Sequence, residues 1–361
     1  MNLTDLARLR LSSQQISSTQ FSTSRQLAGW MCAMQAQDYA MLQWALGARL
    51  PGSTVADVEA AVASAEIIRT HLLRPTWHLV AAEDLRWLLG LTAPRLRASL
   101  KPRHAGLGLS DAVHAESQQI MLGLLSGGRQ LTGEELGAEF EKANIPTGEN
   151  RLSHLLMRAE LDALLCSGAT RKGKRTYALL DERVPPAPAL SRDEALGRLA
   201  FKYFSSHGPA TLADFAWWSG QTTGEARRAL ELVSADFVSV TVASQEYWYS
   251  AAALAPVEES ACLLPAFDEF IISYTDRAAA LALENFSKAV SNNGVFRPVI
   301  VVDGQVTGIW RRTTHKDHLL LETQFFSALP DRLTLERLEQ CALQFGQFFG
   351  KRIEIQHQIY E

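Results

Sequence analysis

Apolar positions along the chain follow helical spacing over long stretches and switch to short strand-like runs at a few places. Between Asp111 and Leu180 the predicted order is three helices and then a hairpin. The first helix starts at Asp111 and ends at Gly127-Gly128. The second opens at Thr132, a good cap with Glu135 three residues later. The third spans Glu149–Leu165, with Leu152, Leu155, Leu156 and Ala159 on one face. Ala169–Leu179 then reads as a hairpin whose turn, Arg171-Lys172-Gly173-Lys174-Arg175, is basic and contains glycine. Three helices followed by a hairpin is the winged-helix order.

The same order returns further on. A helix over Arg192–Ser206 is broken by His207-Gly208-Pro209-Ala210. Thr211 to Asp214 caps a helix carrying Trp217 and Trp218. A third helix begins at Thr223 or Gly224 and runs through Leu232, and Phe237–Val242 and Glu246–Ser250 form the hairpin. Val184-Pro185-Pro186-Ala187-Pro188 is a stiff linker between these units. The N-terminal part carries a more diverged copy. Thr23–Leu50 is mostly helical, Thr54–Ala63 is a second helix, Ile67–Thr70 and Thr76–Val80 pair as strands, and a new helix starts at Ala81. The last part differs: Pro298–Val302 and Gln305–Trp310 are joined by Asp303-Gly304, a strong two-residue hairpin turn. A helix over Leu333–Phe348 and a short strand near Ile353 follow. The expected fold is mainly α with β-hairpin wings (α+β), as tandem winged-helix units plus a mixed α/β C-terminal domain. The expected divisions are 1–105, 106–183, 190–252 and 253–361.

Composition changes this picture little. The 361 residues are 47% hydrophobic, ample for two or three domains with sizeable cores. The net charge of −4 argues against coating nucleic acid by bulk charge, so any such surface must be local. Basic residues cluster at Arg95–Arg103, Arg171–Arg175 and Arg311–Lys316, acidic ones at Glu134–Glu141 and Glu258–Glu259. The four cysteines are scattered, which fits buried thiols in a reducing compartment rather than disulfides or zinc. The spacing in His315-Lys316-Asp317-His318 fits no common metal site, and neither a metal nor a cofactor is expected. With no apolar run long enough for a bilayer and no signal peptide, a cytoplasmic, membrane-free monomer is expected.

Several motifs resemble one family. They are Gln35-Ala36-Gln37-Asp38-Tyr39 with Trp44–Arg49, Arg74-Pro75-Thr76-Trp77-His78-Leu79-Val80, His207–Thr211, Leu263–Phe270 with Asp276-Arg277, and Val302-Asp303-Gly304 with Gly308 and Trp310. In this order, over nearly the whole length, they resemble the AlkZ/YcaQ-type winged-helix DNA glycosylases. The resemblance implies tandem winged helices around duplex DNA, removal of alkylated purines by a monofunctional glycosylase, and a Gln-x-Gln or Gln-x-Asp motif at the active site. Gln35 and Gln37 stand at that motif's positions.

Each candidate has a plainer alternative. Two glutamines are usually solvated surface, and residues two apart on a helix point to different sides, so both amides reach one substrate only at a helix end or bend. An amide can orient water and offer partial negative charge, enough when the leaving base is already a cation. Asp38 supplies a carboxylate or caps a helix. His78, with His71, lines a cleft or is bonded locally beside a packed Trp77. Arg171, Lys172, Lys174 and Arg175, with Arg74, contact phosphates or lie in solvated loops. Arg311, Arg312 and Lys316 hold DNA, or the arginines pair internally with acidic neighbours such as Asp268, Glu269 or Asp276. Trp217, Trp218, Trp248 and Trp310 read as core rather than stacking platforms. The competing functions are a non-catalytic winged-helix DNA-binding protein such as a transcriptional regulator, and a protein-interaction module that lost DNA binding.

Overall fold

A computed structural model describes residues 1–251 and 259–360. The boundary expected at 252/253 and Glu258 of the acidic pair lie outside the described residues. Helix and sheet are mixed, and the chain divides into two compact units, Glu59–Ala195 and a second assembled from Met1–Val58 and Leu196–Glu361.

The unit Glu59–Ala195 opens with the end of the helix Val55–Ala63 and continues with an antiparallel hairpin, Ile67–Leu72 and Thr76–Ala81, in which Thr70 faces His78 and His71 faces Trp77. A 25-residue helix, Ala82–Gly106, follows. Next come helices Asp111–Leu125, Gly133–Lys142 and Arg151–Leu161, each beginning where a side chain or a left-handed residue stops the preceding loop. Thr132 and Glu135 form a reciprocal capping box, satisfying two N–H groups that the first turn leaves orphaned. Strands Leu165–Ser167 and Thr176–Leu179 close a small sheet with Leu131–Thr132 at its edge. The three helices bury Met121, Leu125, Leu136, Phe140, Leu155 and Ala159 against Tyr177 and Leu179.

The discontinuous unit carries the order helix Arg192–His207 (entered at Leu196), helix Leu212–Ser219, helix Thr223–Val233 and hairpin Val238–Val242/Gln245–Tyr249. Two further capping boxes, Thr211/Asp214 and Thr222/Glu225, start the second and third helices. The unit also contains a five-stranded sheet in the order Arg352–Ile359, His318–Phe325, Gln305–Thr314, Val299–Val302, Ala261–Leu264. Its first two strands are parallel and the rest antiparallel; the helix Arg332–Phe349 makes the connection that a parallel pair requires. The turn Asp303-Gly304 takes φ of 48° and 80°, the signature of a tight primed hairpin turn. Gly304 has a second reason to lack a side chain, since a Cβ there would meet the Ala7 and Arg8 backbone at 3.0 Å. The helix Leu3–Ser13, started by an Asn2/Asp5 capping box, buries Leu6, Ala7 and Leu11 among Leu264, Phe270, Val299 and Val301. No helix among the described residues is long and apolar enough to cross a membrane.

Candidate active site

The glutamine motif lies between two helices. The helix Ser24–Met31 stops because Cys32 turns to φ 64° and ψ −54°, and the Ala33 N–H donates back to the Met31 carbonyl at 2.7 Å. That is a γ-turn of the rare positive-φ kind, strained for any residue with a Cβ. Met34 and Gln35 are extended. Asp38 then caps the helix Tyr39–Gly47, accepting the Met41 N–H at 3.1 Å. The stretch expected to be mostly helical over Thr23–Leu50 is therefore broken between Cys32 and Asp38. Gln35 is buried while Gln37 and Asp38 are exposed. The side-chain oxygen of Gln35 is fully buried with no hydrogen-bond partner among the described residues.

Behind Gln35 stands a buried polar network built on two adjacent carboxylates. Glu269 accepts the Gln35 backbone N–H, the Trp218 indole N–H at 3.1 Å and the Ser273 hydroxyl, and lies 3.5 Å from His207 Nε2. Burial pushes its carboxyl up, but His207, Ser273 and the Gln35 amide together hold it down at about 2. Asp268 takes both terminal nitrogens of Arg49 at 2.8 Å. Arg49 spends its remaining donors on the Gln14 carbonyl and side chain and the Ala45 carbonyl. Burial pulls Arg49 down, yet the Asp268 charge and hydrogen bonds leave it above its ordinary value. Gln14 donates to the Tyr274 hydroxyl at 2.9 Å, which donates to the His207 carbonyl at 2.7 Å. The two carboxylates are thus tied through one loop of bonds.

Of the other residues singled out in the sequence, Asp38 acts as the cap just described. It also sits in the field of Arg312, whose guanidinium is lowered by burial and raised by Asp38. Arg312 packs over Phe349, 4.9 Å from the ring centre. Arg311 forks onto Glu322 across the sheet at 2.9 and 2.6 Å. Arg311 thus pairs with an acidic neighbour, but with Glu322 rather than the acids given as examples; Asp268 and Glu269 are bonded in the core by Arg49, Gln35, Trp218 and Ser273. Lys316 is exposed in the loop after strand Gln305–Thr314. Trp218 and Trp310 are core, whereas Trp217 is 44% exposed, with its indole N–H on the Ile272 carbonyl.

In the other unit, Lys172 and Gly173 form the tip of the basic loop with φ of 51° and 75°. Arg171 pairs with Glu135 and Lys174 with Glu134 at 2.5 Å, both near the start of a helix. Arg175 stacks on Trp77 at 4.7 Å, with Arg69 at 4.1 Å. His78 is buried, its Nδ1 3.0 Å from the Thr76 carbonyl, and His71 is paired with the buried Glu160. Arg74 is half-buried before the second strand of its hairpin.

Cys32, His207 and Ser273 carry no site role in the sequence, and Glu269 only that of a candidate ion-pair partner for Arg311 and Arg312. The signal for two of them was present, since His207 and Glu269 both fall in the family-like motifs.

A family model described as "DNA glycosylase AlkZ-like" matches residues 28–348. The chain belongs to the AlkZ-like DNA glycosylase family. Membership makes it a DNA-binding glycosylase rather than the regulator or interaction module that the same element order also allows. The interstrand DNA cross-link repair glycosylase of Streptomyces sahachiroi is 26% identical over 348 residues, 90% of each chain. The solved structure of Streptomyces sahachiroi DNA glycosylase AlkZ matches with a TM-score of 0.82 over 99% of both chains at 22% identity, which shows the shared fold. The AlkZ-like match spans both the glutamine motif and the Asp268-Glu269 pair.

Proposed function

We propose that this AlkZ-like glycosylase hydrolyses the N-glycosidic bond of alkylated, cationic purines in duplex DNA. Gln35 and Gln37 position the attacking water and offer partial negative charge to the developing sugar cation. The observation that carries this reading is the buried, unpartnered side-chain oxygen of Gln35, next to a strained γ-turn. An acceptor left unsatisfied costs about 1–3 kcal/mol. Such costs, like backbone strain, concentrate where a substrate or water is to be bound. An amide has no charge to offer, so the chemistry suits a base that already leaves as a cation.

The two repeated orders, Asp111–Leu179 and Arg192–Tyr249, are read as tandem winged helices that hold the duplex, with the first two domains divided at 105/106 and the mixed α/β part last. Lys172, Lys174, Arg171, Arg175, Arg74, Arg311, Arg312 and Lys316 are read as phosphate or groove contacts. The Streptomyces relative is named for cross-link repair. A cross-link made through alkylated purine nitrogens presents the same cationic leaving group, and we include it in the proposed substrate class. The test is incubation with duplex containing N7-methylguanine and detection of abasic sites. Losing one oriented dipole costs about 10²–10³ in rate. The Gln35→Ala, Gln37→Ala double variant should therefore lose base release and keep DNA affinity, and wild-type excision by that variant refutes the reading.

A further inference from the structure

We propose that Glu269 is a positioning residue for the glutamine motif, fixing Gln35 through its backbone N–H. This rests on the catalytic reading of Gln35 given above. The geometry separates this role from that of a general base. One carboxylate oxygen of Glu269 takes the Gln35 amide; the other takes the Trp218 indole and the Ser273 hydroxyl and faces His207 at 3.5 Å. Glu269 is 3% exposed and both of its oxygens are bonded within the protein, so it is not presented to solvent for activating water. What remains is a fixed anion whose one bond to the motif reaches across 234 residues of sequence.

That bond supplies what the local chain lacks. The segment from Cys32 to Asp38 is neither helix nor long strand, and the γ-turn before it is strained. Glu269 is held on three other sides, at the start of the short helix Glu269–Ile272, by groups from the Leu212–Ser219 helix, from Ser273 and from His207. It therefore transfers the rigidity of the core to Gln35. Misplacing a reacting group by about 1 Å costs on the order of a hundredfold in rate.

The test is a double-mutant cycle on the full-length protein, measuring single-turnover base release from N7-methylguanine duplex and affinity for undamaged duplex. Glu269→Gln keeps the shape but must set its amide N–H₂ against one of its present donors. The expected result is a tenfold to hundredfold slower base release with affinity changed less than about twofold. Because Glu269 acts through Gln35, Glu269→Gln placed on Gln35→Ala should slow release no further. A normal rate in Glu269→Gln, or an additive loss in the double variant, overturns the proposal. A normal rate in Gln35→Ala instead overturns the catalytic reading itself, so the two failures are distinguishable. Gly47→Ala, whose new Cβ would fall 2.6 Å from the Phe348 ring, is the control for general destabilisation and should keep the wild-type rate per folded molecule. Where Glu269→Gln fails to fold, Ser273→Ala carries the same cycle; it should slow release severalfold alone and not at all on Gln35→Ala, and a normal rate alone overturns the proposal.

Discussion

Arg49→Met should be among the most damaging single changes that leave the proposed chemistry untouched. The guanidinium sits wholly buried between Asp268, Gln14 and Ala45, with all its donors used. Methionine fills much of the stem's volume but leaves the carboxylate of the 3%-exposed Asp268 with the Phe270 N–H at 2.9 Å as its remaining donor among the described residues. Breaking a buried ion pair by removing one partner costs about 3–5 kcal/mol, mostly from the stranded charge. At about 2–4 °C per kcal/mol for a domain of this size, the melting temperature should fall by roughly 6–20 °C. The companion Arg49→Met, Asp268→Asn removes that charge and keeps a cap for the short helix that follows. It should recover all but about 1–3 kcal/mol, the cost of the polar groups still unpaired. Calorimetry on the wild type and three variants gives the coupling directly. A drop below about 3 °C in Arg49→Met, or a double variant no more stable than the single, would refute the reasoning.

Gly308→Ala places a Cβ 2.4 Å from the Gln324 carbonyl across the sheet, where the obstacle is backbone; a loss of about 1–3 kcal/mol should appear in the urea midpoint, and an unchanged midpoint contradicts it. His104 is held down at about 4, first by burial and then by His114, His154 and Arg158, against a smaller opposing pull from Asp111. The unfolded chain therefore binds more protons than the folded one between about pH 4 and 6.5, and stability present above that window should be lost as pH falls through it. His104→Gln should flatten this part of the pH profile, and an unaltered slope counts against it. Lys172→Ala with Lys174→Ala should weaken binding equally on unrelated duplexes and shrink the salt slope by about 0.9 per lost contact; an unchanged slope means that the basic tip does not meet phosphate.

Much of the fold was legible because local signals agreed with it. Thr132/Glu135 and Thr211/Asp214 start helices as their spacing predicts, and Asp303-Gly304 makes the predicted turn. Strand His318–Phe325 escaped notice because one of its inward positions is Thr323, which breaks the apolar alternation although it is buried. The strand near Ile353 is eight residues long, Arg352–Ile359, but lies at the sheet edge with mostly exposed polar side chains, so its pattern is weak. The glutamine motif was legible only by resemblance, since periodicity alone reads it as surface. Its support was hidden by distance along the chain, yet one physical clue stood in the open. Two adjacent acids inside Leu263–Ile272, an otherwise largely apolar run, must be paired if the run is core.

The discontinuous unit also sets a schedule for biosynthesis. Leu6, Ala7 and Leu11 leave the ribosome well before the partners that cover them, from Leu264 to Val306. At 5–20 residues per second, the roughly 250 residues between them take about 10–50 s to translate. Within that interval the continuous unit Glu59–Ala195 is completed, while the helix Leu3–Ser13 waits with its apolar side uncovered. Glu269 arrives in the same late stretch as the helix's partners. Nascent chains stalled before it would lack the carboxylate that accepts the Gln35 N–H. The bond from the Gln35 N–H to Glu269 therefore forms only after the cover of the helix Leu3–Ser13 has begun to be made.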